Sequence, residues 1–436
     1  MIIRPARRIR GRLEMPGDKS ISHRAAMIAA LARGTSRLKN FSTSADCAAT
    51  LRCLAELGVS IERERHEITV EGAGLNGLRS VSTPLDCGNS GTTMRLLAGI
   101  LAGQDFSTSL TGDASLRARP MARIIEPLQM MGAEIDAQDG HAPLTIRGRK
   151  SLQAIQYELL LASAQVKSCI LLAGLYAGGP TTVSEEVPTR DHTERMMRWF
   201  GVAVTTGEAR HENEVSVTVS PGKEFMARDV EIPGDVSSAA YFVAAALLLE
   251  GSELEIANVG LNPHRIRFLK QLNLFGLAVN AEEAVPNNYE PVGTIRSNGM
   301  RATQLPQNPQ IINGTSVPAL IDEIPLLAIA GSQIEGGVEI RDARELRIKE
   351  SDRIASTVAG LRAMGAAVEE FDDGLRVSGP ARLQGASIDP HGDHRIAMAF
   401  TVAGLIAEGE TEIKNPECVA VSFPEFFESL DFVTER

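Results

Sequence analysis

No Cys-x-x-Cys pair occurs among the five cysteines, Cys47, Cys53, Cys87, Cys169 and Cys418. So scattered and odd-numbered a set excludes a disulfide framework and a thiolate zinc site. It fits free thiols buried in a reducing cytosol. His391 and His394 have no third ligand beside them, so no metal is expected. Basic charge is also short. Lys and Arg number 44 against 55 Asp and Glu, a formal net charge of −11, and no basic stripe is present. Nucleic acid and anionic membranes are therefore poor partners. Long apolar runs are missing too. The longest, Ala239 to Leu249, is too short for a bilayer and reads as a core helix. No apolar signal segment follows the Arg-rich opening "MIIRPARRIRGRLE", so a cytoplasmic location is expected. What fits best is an acidic protein that gathers a few cations in loops around small anions.

What is present is repetition. The chain has 436 residues, 43% of them hydrophobic, which is more than one core normally holds. An Ala- and Leu-rich helix, a Gly, an alternating strand and an Asn, Asp or Glu recur as "AMIAALARGTSRLKN", "LLAGILAGQDFSTSLTGD", "ILLAGLYAGGPTTVSE", "YFVAAALLLEGSELEIAN", "LLAIAGSQIEGGVEIRD" and "FTVAGLIAEGETEIKN". The period is roughly 70 to 85 residues. The Gly suits a helix C-terminus and the alternation a half-exposed strand. A second motif interleaves, an amphipathic helix ending in Gly before a strand: "LRCLAELGVSI", "IEPLQMMGAEI", "MMRWFGVAV", "FLKQLNLFGLAV" and "LRAMGAAVEE", with "FPEFFESLDFV" as a worn sixth copy. Each repeat then holds two helices and about four strands. Six repeats in two sets of three predict a two-domain α/β protein.

The turns "MPGDKS" and "IPGDVS" open the two sets. The first domain is expected over 18–228 and the second over 1–17 and 229–436, the N-terminal strand crossing back to join it. Only the first turn has cationic residues in or close behind it, Lys19, His23 and Arg24; the second has no cation.

Several loops have the makings of anion sites. "GDKSISHR" sets Gly17, Lys19, Ser20 and Arg24 at a helix start, where free amides and a cation attract anions. "DCGNSGTTMRLL" repeats the device with Gly88, Gly91, Thr92 and Arg95. "SLRARPMARI" contributes Arg117, Arg119 and Arg123, suited to bidentate carboxylate or phosphate recognition. "LASAQVKS" holds Ser163, Gln165 and Lys167, and "VPTRDHTER" holds Arg190, Asp191, His192 and Glu194. Later come "IDEIPLL" with Asp322 and Glu323, "LRIKESDRI" with Lys349, Glu350 and Arg353, and "HGDHRIAMAF" with His394 and Arg395. On a helix, Lys349 and Arg353 would share a face. Each stretch alone also reads as a plain cap, solvated loop or structural ion pair. "GAGLNG", Gly72 to Gly77, matches a dinucleotide pattern but lacks a following helix, so no nucleotide is expected there.

As an ordered set, "PGDKSISHRA", "GNSGTTMR", "RARPMARI", "SAQVKS", "IDEIP", "KESDRI" and "GDHRIAMAF" resemble the 5-enolpyruvylshikimate-3-phosphate synthases, and "GDKS", "SAQVK" and "TRDHTE" their class II branch. The resemblance spans nearly the whole chain. It implies two similar domains, each of three βαβαββ-type repeats in an inside-out α/β barrel. It implies transfer of the enolpyruvyl group of phosphoenolpyruvate to the 5-hydroxyl of shikimate 3-phosphate, with phosphate released from a tetrahedral adduct. No cofactor is implied, and a monomer is expected. By motif, shikimate 3-phosphate would meet Lys19, Ser20, Arg24, Ser163, Gln165, Arg190, Asp322 and Lys349. Phosphoenolpyruvate would meet Lys19, Gly91, Arg119, Gln165, Arg353 and Arg395. The site would draw on both domains and be complete only when they close. Asp322 among cations suits the base for the hydroxyl, while Glu350 or Lys19 suits the acid for the enol carbon. Two positions depart from the pattern: Ala164 replaces a phosphate-binding Ser, for which Arg190 is expected to compensate, and Val421 replaces a Lys. The class II branch is associated with glyphosate tolerance, whereas Gly91 is typical of sensitive enzymes. The UDP-N-acetylglucosamine enolpyruvyl transferases share the fold, but carry Lys-Asn where this chain has Lys19-Ser20 and Cys in place of Arg119. A non-catalytic anion binder is disfavoured by Lys19, Asp322 and Glu350 occurring together.

Overall fold

In a computed structural model of the chain, residues 1–208, 215–221, 223–283, 289–299 and 309–436 are described. Six helices form its interior: Lys19–Leu31, Gly91–Ala102, Ala164–Gly174, Val236–Leu248, Ile324–Gly331 and His394–Ile406. Five begin at a capped turn. Asp18 accepts the amide of Ile21 (2.9 Å), Ser90 that of Thr93 (3.1 Å) and Ser163 that of Val166 (3.4 Å). Asp235 accepts that of Ser237 (2.8 Å) and Asp393 that of Arg395 (2.9 Å). Each cap satisfies an amide that the first turn leaves without a helical partner. Ile324–Gly331 starts on Pro325, whose ring presets a helical φ.

These helices carry small and aliphatic residues on every side. Every residue from Ile21 to Leu31 and from Val236 to Leu247 is buried. A helix apolar all round belongs at the centre of a domain, with other layers outside it. Each runs into a strand that hides one face, as in Thr181–Glu185, where buried residues alternate with half-buried ones.

A second set of helices, Ala45–Glu56, Ala122–Met130, His192–Trp199, Arg267–Leu274 and Arg353–Ala363, lies beside the first. Just beyond each stands a glycine with φ between 79° and 94°: Gly58, Gly132, Gly201, Gly276 and Gly365. That left-handed turn, open to glycine without strain, sends the chain into the next strand.

The chain divides into two compact units. The first comprises Gly17–Ile232 and Asn288–Glu290. Its three sheets share one plan. In the sheet Leu85–Asp86, Ser107–Thr111, His141–Arg147 and Glu134–Gln138, a short edge strand pairs parallel with the strand that follows the core helix. An antiparallel hairpin completes it. Val230–Glu231, from the end of this unit, returns to edge the sheet begun by Arg33–Lys39.

The second unit comprises Met1–Pro16, Pro233–Asn287 and Pro291–Arg436. Its sheets are more irregular. Arg8–Glu14 pairs parallel with Glu253–Gly260, and Ile2–Ile3 pairs antiparallel with Thr411–Ile413. The sixth repeat therefore has no hairpin of its own. Ile2–Ile3 takes the antiparallel position, and the strand after helix Phe426–Val433 is only Thr434–Glu435, paired with Arg8–Glu14. Expecting four strands in every repeat overcounts this one. No single helix among the described residues is long and apolar enough to cross a membrane.

Gly91–Ala102 and Ala164–Gly174 touch at Gly99, where a Cβ would lie 2.2 Å from the Cys169 carbonyl oxygen. Gly99→Val is expected to destabilise the first unit by about 2 kcal/mol or more. A lowered urea midpoint checks this, and an unchanged one would contradict the contact.

Candidate active site

The polar residues of the first unit collect where its core helices begin. Lys19, in the first turn of its helix, places Nζ 3.0 Å from Asp46 Oδ2 of the neighbouring helix. Arg24 is 4% exposed and held on three sides. Its Nε donates to Thr193 Oγ1 (2.7 Å), Nη2 to Ser168 Oγ (2.9 Å) and Nη1 to the Ser20 carbonyl (2.9 Å). Gln165 bridges two helix starts: Arg95 Nη1 donates to its Oε1 (2.6 Å), and its Nε2 donates to Thr92 Oγ1 (2.9 Å). Of the three arginines around Pro120, Arg119 is the buried one; Nη2 donates to Asn89 Oδ1 (2.7 Å) and Ser115 Oγ (3.2 Å). A Cβ on Gly91 would lie 2.9 Å from Arg95 Nη1 and 3.4 Å from Arg119 Nη1. The bare backbone of Gly91 thus faces two guanidinium groups. Three helix N-termini with their macrodipoles, one ammonium and three guanidinium groups make this end of the unit strongly attractive to anions.

Lys167 is buried to 1% between Glu185 (2.7 Å) and Glu194 (2.8 Å), and donates to the Thr189 carbonyl (3.4 Å). Burial alone would depress its pKa, but Glu194 and then Glu185 outweigh burial and raise it. This closed trio anchors the loop that carries half-buried Arg190. His192 is likewise occupied, with Nδ1 2.6 Å from Glu290 Oε1. Ser163 serves as the cap of its helix, and Ser20 lies half-buried in the first turn of its own.

The second unit repeats the arrangement with the charge balance reversed. Arg353, 1% exposed, places Nε 2.8 Å from Asp393 Oδ2, Nη2 2.5 Å from Glu350 Oε2 and Nη1 3.4 Å from Asp322 Oδ1. Arg395 donates from Nη1 to the Asp322 carbonyl (3.0 Å) and lies near the carboxylates of Asp322 (3.6 Å) and Glu323 (3.5 Å). Burial opposes the charge on Arg353, yet Asp393, Glu350 and Asp322 raise its pKa. The twin turn, with no cation in its own sequence, is met by one from a later loop. Arg265 Nη2 donates to Ser237 Oγ (2.8 Å) and lies 3.5 Å from Asp235 Oδ1.

The model of the family described as EPSP synthase (3-phosphoshikimate 1-carboxyvinyltransferase) matches residues 3–430. The chain belongs to this family. It is 51% identical over 435 residues to the 3-phosphoshikimate 1-carboxyvinyltransferase of Koribacter versatilis, covering 100% of this chain and 99% of that one. It is 48% identical to that of Salinibacter ruber, covering 98% and 97%. Its structure is similar to that of EPSP synthase from Acinetobacter baumannii, with a TM-score of 0.84 and 41% identity over 99% of this chain and 97% of that one. As a member of the family the chain is a transferase of aromatic amino-acid biosynthesis that takes an enolpyruvyl group from phosphoenolpyruvate.

The candidate residues of this EPSP synthase family member fall into two groups. Lys19, Ser20, Arg24, Gly91, Arg119, Ser163, Gln165 and Arg190 belong to the first unit, and Asp322, Lys349, Glu350, Arg353 and Arg395 to the second. One local expectation fails. Lys349 is not on the helix of Arg353: it ends the 3-10 turn Arg344–Ile348 and pairs with Glu345 (3.1 Å). Asp352 caps the helix by accepting the Ala355 amide, so helical spacing begins only at Arg353. Sequence reasoning missed Asp46, Ser168, Thr193 and Arg265. Ser168 and Thr193 lie inside "LASAQVKS" and "VPTRDHTER", but no local pattern gives the partners of any of the four, which they meet across 27 or more residues.

Lys167→Met would leave two buried carboxylates without their ammonium, and is expected to cost about 3–5 kcal/mol. Denaturant titration checks it, and Lys167→Met with Glu185→Gln and Glu194→Gln should recover most of the loss. A second outcome concerns acid. Burial, helped by Lys19 and Arg24 and opposed by Asp18, holds His23 well below its ordinary value of 6.5. Below that value the unfolded chain binds the extra proton, so the stability contributed by neutral His23 is complete above it and falls as pH drops. The loss of urea stability between about pH 7.5 and pH 5 should be smaller in His23→Asn than in the parent chain.

Proposed function

We propose that the two groups of residues serve one reaction, addition of the shikimate 3-phosphate 5-hydroxyl to phosphoenolpyruvate followed by loss of phosphate. The observation that carries this reading is the gathering of Arg95, Arg119 and two helix N-termini around Gly91 and Gln165, with Lys19 at the start of a third core helix of the same unit. Both substrates are anionic, and fixed cations let them lie side by side without reorganisation during the reaction. Shikimate 3-phosphate takes Lys19, Ser20, Arg24, Ser163, Gln165, Arg190, Asp322 and Lys349. Arg24 acts through the Ser20 backbone that it holds, and Arg190 serves in place of the Ser absent at Ala164. Phosphoenolpyruvate takes Lys19, Gly91, Arg119, Gln165, Arg353 and Arg395.

The 5-hydroxyl gives its proton to Asp322 as its oxygen bonds to the central carbon of phosphoenolpyruvate. The terminal enol carbon takes a proton from Glu350 or Lys19, giving a tetrahedral adduct. The bond to the phosphate oxygen then breaks, phosphate leaves, and the new methyl group gives back a proton. Glu350 and Asp322 both pair with Arg353. An incoming carboxylate or phosphate competes for that guanidinium and frees both acids for proton transfer. Every residue invoked comes from one chain, so a monomer suffices, and the thiols fit a reducing cytoplasm.

A coupled phosphate-release assay with both substrates tests the reading, and absence of release would overturn it. Asp322→Asn is expected to lower kcat about 10²–10⁴-fold, and near-normal turnover would remove it as the base. Glu350→Gln is judged by rapid quench of the adduct. An unchanged rate of adduct formation would leave Lys19 as the acid.

A further inference from the structure

His23 is fully buried and has no part in the reaction just described. It stands one helical turn after Lys19, on the same face of the helix. Asp46 and Thr50 are likewise one turn apart on the facing helix Ala45–Glu56. The two helices are therefore pinned twice: Lys19 to Asp46 at 3.0 Å and His23 Nδ1 to Thr50 Oγ1 at 2.6 Å. From Thr50 the chain of hydrogen bonds continues to Thr93 Oγ1 (2.7 Å) and from there to Ser90 Oγ (2.8 Å), the cap of the helix that begins at Gly91.

The direction of this chain follows from its far end. Ser90 Oγ accepts both the Thr93 amide (3.1 Å) and the Thr93 hydroxyl. With its proton committed to Ser90, Thr93 can only accept from Thr50. Thr50 then has no proton left for the imidazole, so His23 Nδ1 carries the hydrogen and donates it. Nε2 is the bare lone pair, buried and without a hydrogen-bond partner among the described residues. The polarity needs a hydrogen on Nδ1, and burial, with Lys19 and Arg24 nearby, disfavours a second proton on Nε2.

We infer that His23 is a positioning residue whose Nδ1–H, through Thr50, Thr93 and Ser90, sets the spacing between Lys19 and the backbone of Gly91. This rests on the reading that those two groups hold phosphoenolpyruvate. The relay joins two loops that share no local sequence, and an error in their spacing is felt directly by a small, rigid anion.

Three measurements test it in the full-length protein. The ¹⁵N signals of the His23 ring should report the Nδ1–H tautomer at neutral pH, and an Nε2–H tautomer, with Nδ1 bare, overturns the relay. His23→Leu and Thr50→Val should each weaken phosphoenolpyruvate binding to the shikimate 3-phosphate complex about tenfold, as expected when one hydrogen bond is lost. His23→Asn, which keeps a donor near Nδ1, should restore most of it. The double variant His23→Leu/Thr50→Val should bind no worse than either single one, because both cut the same chain. Multiplying losses, or equal losses in His23→Asn and His23→Leu, would overturn the proposal. The tautomer result holds or fails wherever phosphoenolpyruvate binds, and so keeps the relay testable if a variant does not fold. Lys19→Met with unchanged phosphoenolpyruvate affinity would instead overturn the subsite assignment.

Discussion

Charge buried at the starts of apolar helices is the constraint that shapes each unit of this protein. A guanidinium or ammonium taken out of water must be matched by carboxylates or by hydrogen bonds on every side. Arg24 meets this with two hydroxyls and a carbonyl, Lys167 with two glutamates, and Arg353 with three carboxylates. The middles of the core helices cannot take part, because they are packed on all sides by apolar neighbours. Polar chemistry is left to their ends.

The repeat decides which end. Each core helix passes its C-terminus to a sheet strand, so that end is consumed by the connection. The N-terminus is entered from a loop, keeps free amides and carries the positive end of the macrodipole. In the first unit two such ends, cross-linked by Gln165, Thr92 and Arg95, and a third that carries Lys19 gather cations without a single long basic segment. That is how a chain with a net charge of −11 builds a strongly anion-attracting region.

The two units use the plan unequally. In the first, Lys19, Arg24, Arg95 and Arg119 stand at the helix starts, with Asp46 paired to Lys19. In the second, Asp322, Glu323, Glu350 and Asp393 surround Arg353 and Arg395. The first arrangement suits binding of anions. In the second the guanidinium charge is already matched by carboxylates. The twin Pro-Gly-Asp turns express the same division: one carries Lys19 in its own sequence, while the other borrows Arg265 from a later loop.

Much of the architecture was legible in the sequence. Apolar residues on all sides of a helix, a glycine at its end and alternation after it are local consequences of helical and strand geometry. They recur often enough to be counted. The ordered loop motifs carried the family, because each combines a turn, a cap and a charge at fixed spacing. The partnerships were decided only in three dimensions. That Asp46 would meet Lys19, that Thr193 and Ser168 would hold Arg24, or that Lys349 would leave the helix of Arg353 depends on which helices pack together and where a cap falls. Short-range pattern fixes which elements form. Side-chain pairing across a hundred residues is set by packing, and it is packing that determines which charges stay satisfied and which face a ligand.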